Sequence, residues 1–105
     1  MDRLALLRQF VAKQPDDPFA RYGLAMELVA RGDLAEACQV FQDLVDKQPD
    51  YVATYLMYGN ALAAAGDAAR AAEVYRLGVE VSERRGDGHA RNENLAALAA
   101  LEGSD

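Results

Sequence analysis

Apolar residues recur along this chain at spacings of three and four, and the pattern is interrupted by Pro-Asp, Asp-Pro and Gly-Asp dipeptides. The first stretch, Asp2 to Gln14, carries Leu4, Leu7 and Val11 on one helical stripe with Phe10 beside them. Asp2 supplies an N-cap, and Pro15 ends the helix by biasing its predecessor away from the α region. The second opens on Asp17-Pro18, a cap followed by proline at the first helical position, where the missing N–H is not needed. It runs to Arg31, with Leu24, Ala25 and Leu28 on one face and Tyr22, Met26 and Val29 on another. Gly32 fits the left-handed residue that closes a helix, and Asp33 opens the next at once, with Glu36 three residues on to complete a capping box. A stop and a start in two residues force an antiparallel helix pair. The third segment, Leu34 to Lys47, turns Ala37, Val40, Phe41, Leu44 and Val45 to its buried side.

The fourth helix, about Tyr51 to Ala65, carries Tyr55, Tyr58, Gly59 and Leu62 and is closed by Gly66-Asp67. The fifth runs from Ala68 to about Arg85 with only the Asp67 cap, because Arg70 stands where Glu36 stood. After Gly86-Asp87-Gly88 comes a sixth, about His89 to Glu102, presenting Leu95, Leu98 and Ala99 to the fifth. No stretch alternates in the manner of a strand. Six helices and an all-α fold follow.

The punctuation is periodic. Gly32-Asp33 and Gly66-Asp67 are separated by the same interval as Pro15 and Pro49, a period of 34. Laying residues 15–48 over 49–82 puts Asp16 on Asp50, Leu28 on Leu62, Ala37 on Ala71, Val40 on Val74, Phe41 on Tyr75 and Val45 on Val79. With 21 alanines among 105 residues, the alanine matches carry little, and the Pro-Asp, Gly-Asp and aromatic matches decide the register. A fixed period of this length marks a repeat architecture.

The two units resemble tetratricopeptide repeats, on the helix–turn–helix period and on residues at that family's small and aromatic positions. In the first unit these are Leu24-Ala25, Leu28, Ala37, Phe41 and Pro49. In the second they are Tyr55, Tyr58-Gly59, Leu62, Ala71, Tyr75 and Gly78, with Tyr58 replacing the leucine. Arg21 stands where the first aromatic is expected, and Glu83 replaces the closing proline, so the fifth helix should run long. The resemblance implies antiparallel helix-turn-helix units stacked as a short right-handed superhelix. The expected layout is a capping helix over residues 2–14, one repeat over 15–48, a second over 49–82, and the end of the long helix with a second capping helix over 83–102. Arg8 and Lys13 would close one outer face and Arg91, Asn92 and Glu93 the other, so that the chain reads as one complete domain. Ala25, Gly59, Ala37 and Ala71 would permit close helix approach, as would Gly78, whose helical glycine costs roughly 1 kcal/mol against alanine. Gly23 carries the same cost with no packing reason in the sequence.

In this family the first helix of each repeat lines a concave side. The resemblance places Phe19, Tyr22, Met26 and Val29 there from the first unit, and Ala53, Leu56, Asn60 and Ala63 from the second. Asn60 matches a position that holds a ligand peptide's backbone or carboxylate in some members. The lysines that complete a carboxylate clamp are replaced by Tyr22 and Leu56, which disfavours acidic tails. An amphipathic helix or apolar peptide of another protein is the expected ligand. Each first helix also has a second apolar face that its own repeat is expected to leave open. A protein–protein interaction module (adaptor, scaffold or chaperone-like) is the leading reading. The alternative is a structural subunit that forms a homodimer or larger homo-oligomer through the same groove; an enzyme accessory domain ranks third.

Composition narrows the rest. Apolar content of 51% and charged content of 27% suit an ordered domain. The net charge of −6, with lysines and arginines scattered, argues against nucleic acid. No apolar run approaches a membrane span, the start shows no signal peptide, and the lone Cys38 cannot form an internal disulfide, so a cytoplasmic location is expected. His89 and Cys38 read as surface and packing residues, and Asp16-Asp17 as capping rather than metal-binding. No catalytic set, cofactor motif or metal site is expected. DNA and RNA binding should be undetectable in a filter assay at physiological salt. Tight, salt-sensitive retention of RNA would contradict this reading.

Overall fold

The computed structural model describes residues 2–103, and the regular structure in them is entirely helical. Helix α1 spans Arg3–Lys13, α2 Pro18–Ala30, α3 Leu34–Lys47, α4 Ala53–Ala64, α5 Ala68–Arg85 and α6 Gly88–Glu102. The sequence places these ends within a residue or two. Helix α4 starts later than expected because Pro49 to Val52 form a turn, with Tyr51 N–H donating to the Gln48 carbonyl.

Three breaks are built alike. Gly32, Gly66 and Gly86 take φ values of 81°, 91° and 72°, which a side chain would strain. In each, the N–H of the following aspartate reaches back to the carbonyl five residues earlier: Asp33 to Leu28, Asp67 to Leu62 and Asp87 to Ser82. This closes one helix. The aspartate then opens the next: Asp67 Oδ1 accepts from Arg70 N–H at 3.0 Å, and Asp87 Oδ1 from Ala90 N–H at 3.0 Å.

Asp33 departs from the expectation. Its side chain makes no capping bond, so the capping box with Glu36 is not formed. The Glu36 carboxylate instead accepts from both terminal nitrogens of Arg8 on α1, at 2.6 and 3.1 Å. A bidentate, charge-assisted contact outcompetes a bond to a neutral backbone N–H.

Helices α2 and α3 pack as one pair and α4 and α5 as another; α1 lies on α2, while α6 lies on α5 and α4. The main core gathers Ala25, Phe41, Tyr55, Tyr58, Ala61, Leu62, Ala71, Val74, Tyr75 and Val81. A smaller one, Leu24, Leu28 and Ala37, is covered by Leu4, Leu7 and Val11 of α1. The small positions do what the repeat pattern implies. A Cβ on Gly59 would collide with the Tyr75 ring, and one on Gly78 would collide with Asn94 Oδ1 and lie 2.7 Å from Tyr55 Cβ. Tyr58, standing in for leucine, stacks on Phe41 with ring centroids 5.7 Å apart and donates from its hydroxyl to Gln42 Oε1 at 2.8 Å.

Arg21, the expected mismatch, is buried and donates to the Pro15 carbonyl at 2.7 Å. Tyr55, its counterpart in the second repeat, donates to the Pro49 carbonyl in the same way. The two side chains tie down equivalent turns.

The phase of α6 also differs from the sequence reading. Leu95 and Ala99 are exposed, and the helix turns Asn94, Ala97, Leu98 and Leu101 to the core. The apolar pattern favours Leu95 over a polar neighbour. Asn94 is nevertheless buried, because its NH₂ donates to Ala90 O at 2.9 Å and Gly78 leaves it room.

Gly59→Ala should destabilise by about 1–3 kcal/mol through overpacking, and Phe41→Ala by about 3–5 kcal/mol. Asp67→Ala should cost about 1 kcal/mol as a lost cap. Asp33→Ala, which breaks no capping bond, should stay within about 0.5 kcal/mol. Urea unfolding measures all four, and equal losses at Asp33 and Asp67 would contradict the caps described.

Candidate partner-binding face

Helices α2 and α4 are the first members of the two pairs, α6 takes the next place after them, and the three form a row: α2 touches α4, α4 touches α6, and α6 does not reach α2. Seven of the eight residues assigned to the groove can be followed along this row, five of them bordering the core. Tyr22, Met26 and Val29 of α2, and Leu56 and Ala63 of α4, are half-buried and pack against the main cluster. Asn60 of α4 is exposed. Its Oδ1 accepts from the Tyr75 hydroxyl at 2.6 Å, which holds the amide and leaves its NH₂ as the group offered outward. Ala53, in the first turn of α4, is exposed too.

Tyr22 is packed more closely than the sequence suggests. Its ring meets Phe41 edge-on at 6.4 Å and Tyr51 at 5.9 Å. The face is therefore not left open at this position, because α3 and the turn before α4 supply aromatic partners that sequence spacing does not reveal.

Phe19, the eighth residue, is 71% exposed and lines a different hollow. This space of about 420 Å³ lies between α1 and α2, bounded by Arg3, Leu7, Phe10 and Gln14 on one side and Asp17, Phe19, Ala20 and Gly23 on the other. The repeat pattern does not point to it. Its two signals in the sequence are Phe10, set beside the α1 stripe rather than on it, and the unexplained Gly23. A smaller space of about 300 Å³ at the α5–α6 turn is bordered by Ser82, Glu83, Asp87 and Arg91, with Arg91 Nε donating to Glu83 at 3.1 Å.

None of the eight residues assigned to the groove is charged, so what they offer is shape, apolar surface and one amide. Titratable chemistry lies elsewhere and is muted. Burial pushes the Cys38 thiol up from its ordinary pKa, and Asp67 adds to the shift, which disfavours the thiolate a nucleophile needs. His89 lies on the outside of α6, 3.2 Å from Glu93. Among the described residues no three His, Cys, Asp or Glu side chains converge on a metal position. No helix among them is long and apolar enough to cross a membrane.

The model of the tetratricopeptide repeat family matches residues 4–52 and again residues 22–90. TPR repeat-containing protein PA0015 of Pseudomonas aeruginosa is 31% identical over 96 residues, a match covering 91% of each chain. Cellulose synthase operon protein C of Komagataeibacter xylinus is 42% identical over 57 residues, which are 51% of this chain and only 4% of that protein. The tetratricopeptide repeat domain protein of Salinibacter ruber, in its solution structure, superposes with a TM-score of 0.82 at 33% identity, covering 87% of this chain and 92% of that one. Protein BPP2914 of Bordetella parapertussis superposes at 0.83 over 97% of this chain and 89% of its own, at 22% identity, and speaks for the fold alone.

All five tyrosines have pKa values raised by burial, at positions 22, 51, 55, 58 and 75. The unfolded chain therefore loses its phenolic protons first, and stability falls as pH rises above about 10. A spectrophotometric titration should show the phenolate signal lagging and then rising together with loss of helix. Independent, unshifted titration with the helices intact would contradict the packing described.

Proposed function

Because the chain belongs to the tetratricopeptide repeat family, whose fold is generally a protein–protein interaction module, we propose that α2 and α4 hold an amphipathic helix or apolar peptide of another protein. The observation that carries this reading is the exposed Asn60, its amide oriented by Tyr75, beside the half-buried Met26, Val29, Leu56 and Ala63. Such a strip offers apolar contact for one face of a helix and one fixed donor for a backbone carbonyl. With no lysine or arginine among its residues, it lacks the means to clamp an acidic C-terminal tail. In this reading the protein acts as an adaptor or scaffold.

Ala53 and Asn60 are the cleanest probes, since both are exposed. Tyr22 is a poorer one, because removing it loses two aromatic contacts worth about 0.5–1.5 kcal/mol each. The double variant Ala53→Arg/Asn60→Asp, which keeps an oxygen to accept from the Tyr75 hydroxyl while removing the outward NH₂, should melt like the parent and capture at least about tenfold less of its partner from native lysate, a loss of about 1.4 kcal/mol. Capture of the same partner at parental yield would refute the assignment of this face.

A further inference from the structure

The two ends of the helical stack differ. Of the five exposed large apolar side chains among the described residues, Leu6 (41%), Phe10 (55%) and Phe19 (71%) lie at the α1 end. The repeat period explains the first two. Leu6, Leu7 and Phe10 stand one full period before Val40, Phe41 and Leu44, of which the last two are fully buried. Helix α3 has α2 as the first member of its pair, whereas no described helix plays that part for α1, so the equivalent face stays open. The opposite end is more polar, with Leu95 (38%) the exposed large apolar side chain of α6. On α6, His89, Asn92 and Glu93 stand one full period after Tyr55, Tyr58 and Gly59.

The open face is also self-complementary. Phe10 and Phe19 border a hollow whose other apolar walls are Leu7, Ala20 and Gly23, so projecting rings and the space to receive them occupy one patch. Gly23 is not required by the chain's own packing. A Cβ there would sit 3.4 Å from Leu7 Cδ2, an ordinary contact, so the missing side chain serves to keep the hollow deep. The hollow has charge polarity as well. Arg3 marks one end, 74% exposed beyond its contact with Glu27, and Asp17 marks the other. A two-fold rotation about its middle brings Arg3 of each copy to Asp17 of the other.

We propose that this face binds a second copy of the chain. The helices α1 pair about a two-fold axis, with Phe10 and Phe19 of each copy in the hollow of its partner and Arg3 opposite Asp17. Because each patch pairs with the same patch on its partner about a two-fold axis, the assembly closes at two and does not grow into a filament. A buried ring contributes about 150–250 Å², so a patch of this size gives a small, readily exchanging interface under about 1,200 Å². Its residues are distinct from those of the α2–α4 row, and pairing here leaves that row free.

Sedimentation equilibrium from micromolar to millimolar protein tests the pairing. The parent chain should move from one chain mass to two and stop there. Phe10→Asp should remain monomeric throughout. Gly23→Ala should keep or raise the melting temperature of the dilute monomer while weakening the dimer by about tenfold or more, the scale of an overpacked contact. Arg3→Glu should weaken it, and adding Asp17→Asn, which keeps a good cap, should restore part of the loss. A single chain mass up to millimolar protein would overturn the proposal, as would growth beyond two copies. So would unchanged association in Gly23→Ala, or association lost with Leu95→Asp on α6 and kept with Phe10→Asp.

Discussion

The fold depends on a ring lying where a side chain is missing. Tyr75 of α5 occupies the space that any Cβ on Gly59 of α4 would claim, and that contact sets how closely the second pair can approach. Everything in the main core follows from the distance so fixed. The Tyr75 hydroxyl reaches Asn60, Phe41 and Tyr58 stack across the junction between pairs, and Gly78 repeats the device further along α5 so that α6 can sit on it. A glycine in mid-helix costs about 1 kcal/mol of propensity, and here the two losses are offset by close packing, of the Tyr75 ring on Gly59 and of Asn94 on Gly78.

Much of this is legible in residue order, because the chain marks its own corners. Glycine tolerates the left-handed turn, aspartate restarts the helix, and their regular recurrence makes the repeat and its buried stripe visible. What escapes has a common physical cause: contacts between residues far apart in sequence. Local spacing assigns Glu36 to a cap, yet Arg8, from another helix, takes its carboxylate. The leucine pattern sets one phase for α6, yet the room beneath Gly78 turns Asn94 inward instead. Family register puts Phe19 with the α2–α4 row, and the packing of α1 puts it beside Phe10. Local signals fix where helices start and stop; the rotation of a helix about its axis is decided by its neighbours.

The equivalence of Arg21 and Tyr55 shows a related point. A guanidinium and a phenol share little beyond reach and a terminal donor, and both tie a proline carbonyl six residues back. The position is specified by where its donor arrives, and residue type is secondary. A pattern written in residue letters scores this as a mismatch, while the turn it stabilises is held alike in both units.

That exchange has an uneven effect on the core. Tyr55 adds a ring to the main cluster, whereas Arg21 adds none to the smaller one, which holds only Leu24, Leu28 and Ala37 beneath α1. Cooperativity in a stacked array is the sum of such local contacts, so protection against hydrogen exchange should grade from the α1 edge inward. The edge that loosens first is the one bearing the open apolar face. Partial opening there would enlarge that face while loosening it, so that the softest end of the stack is also the one with the most apolar surface turned to water.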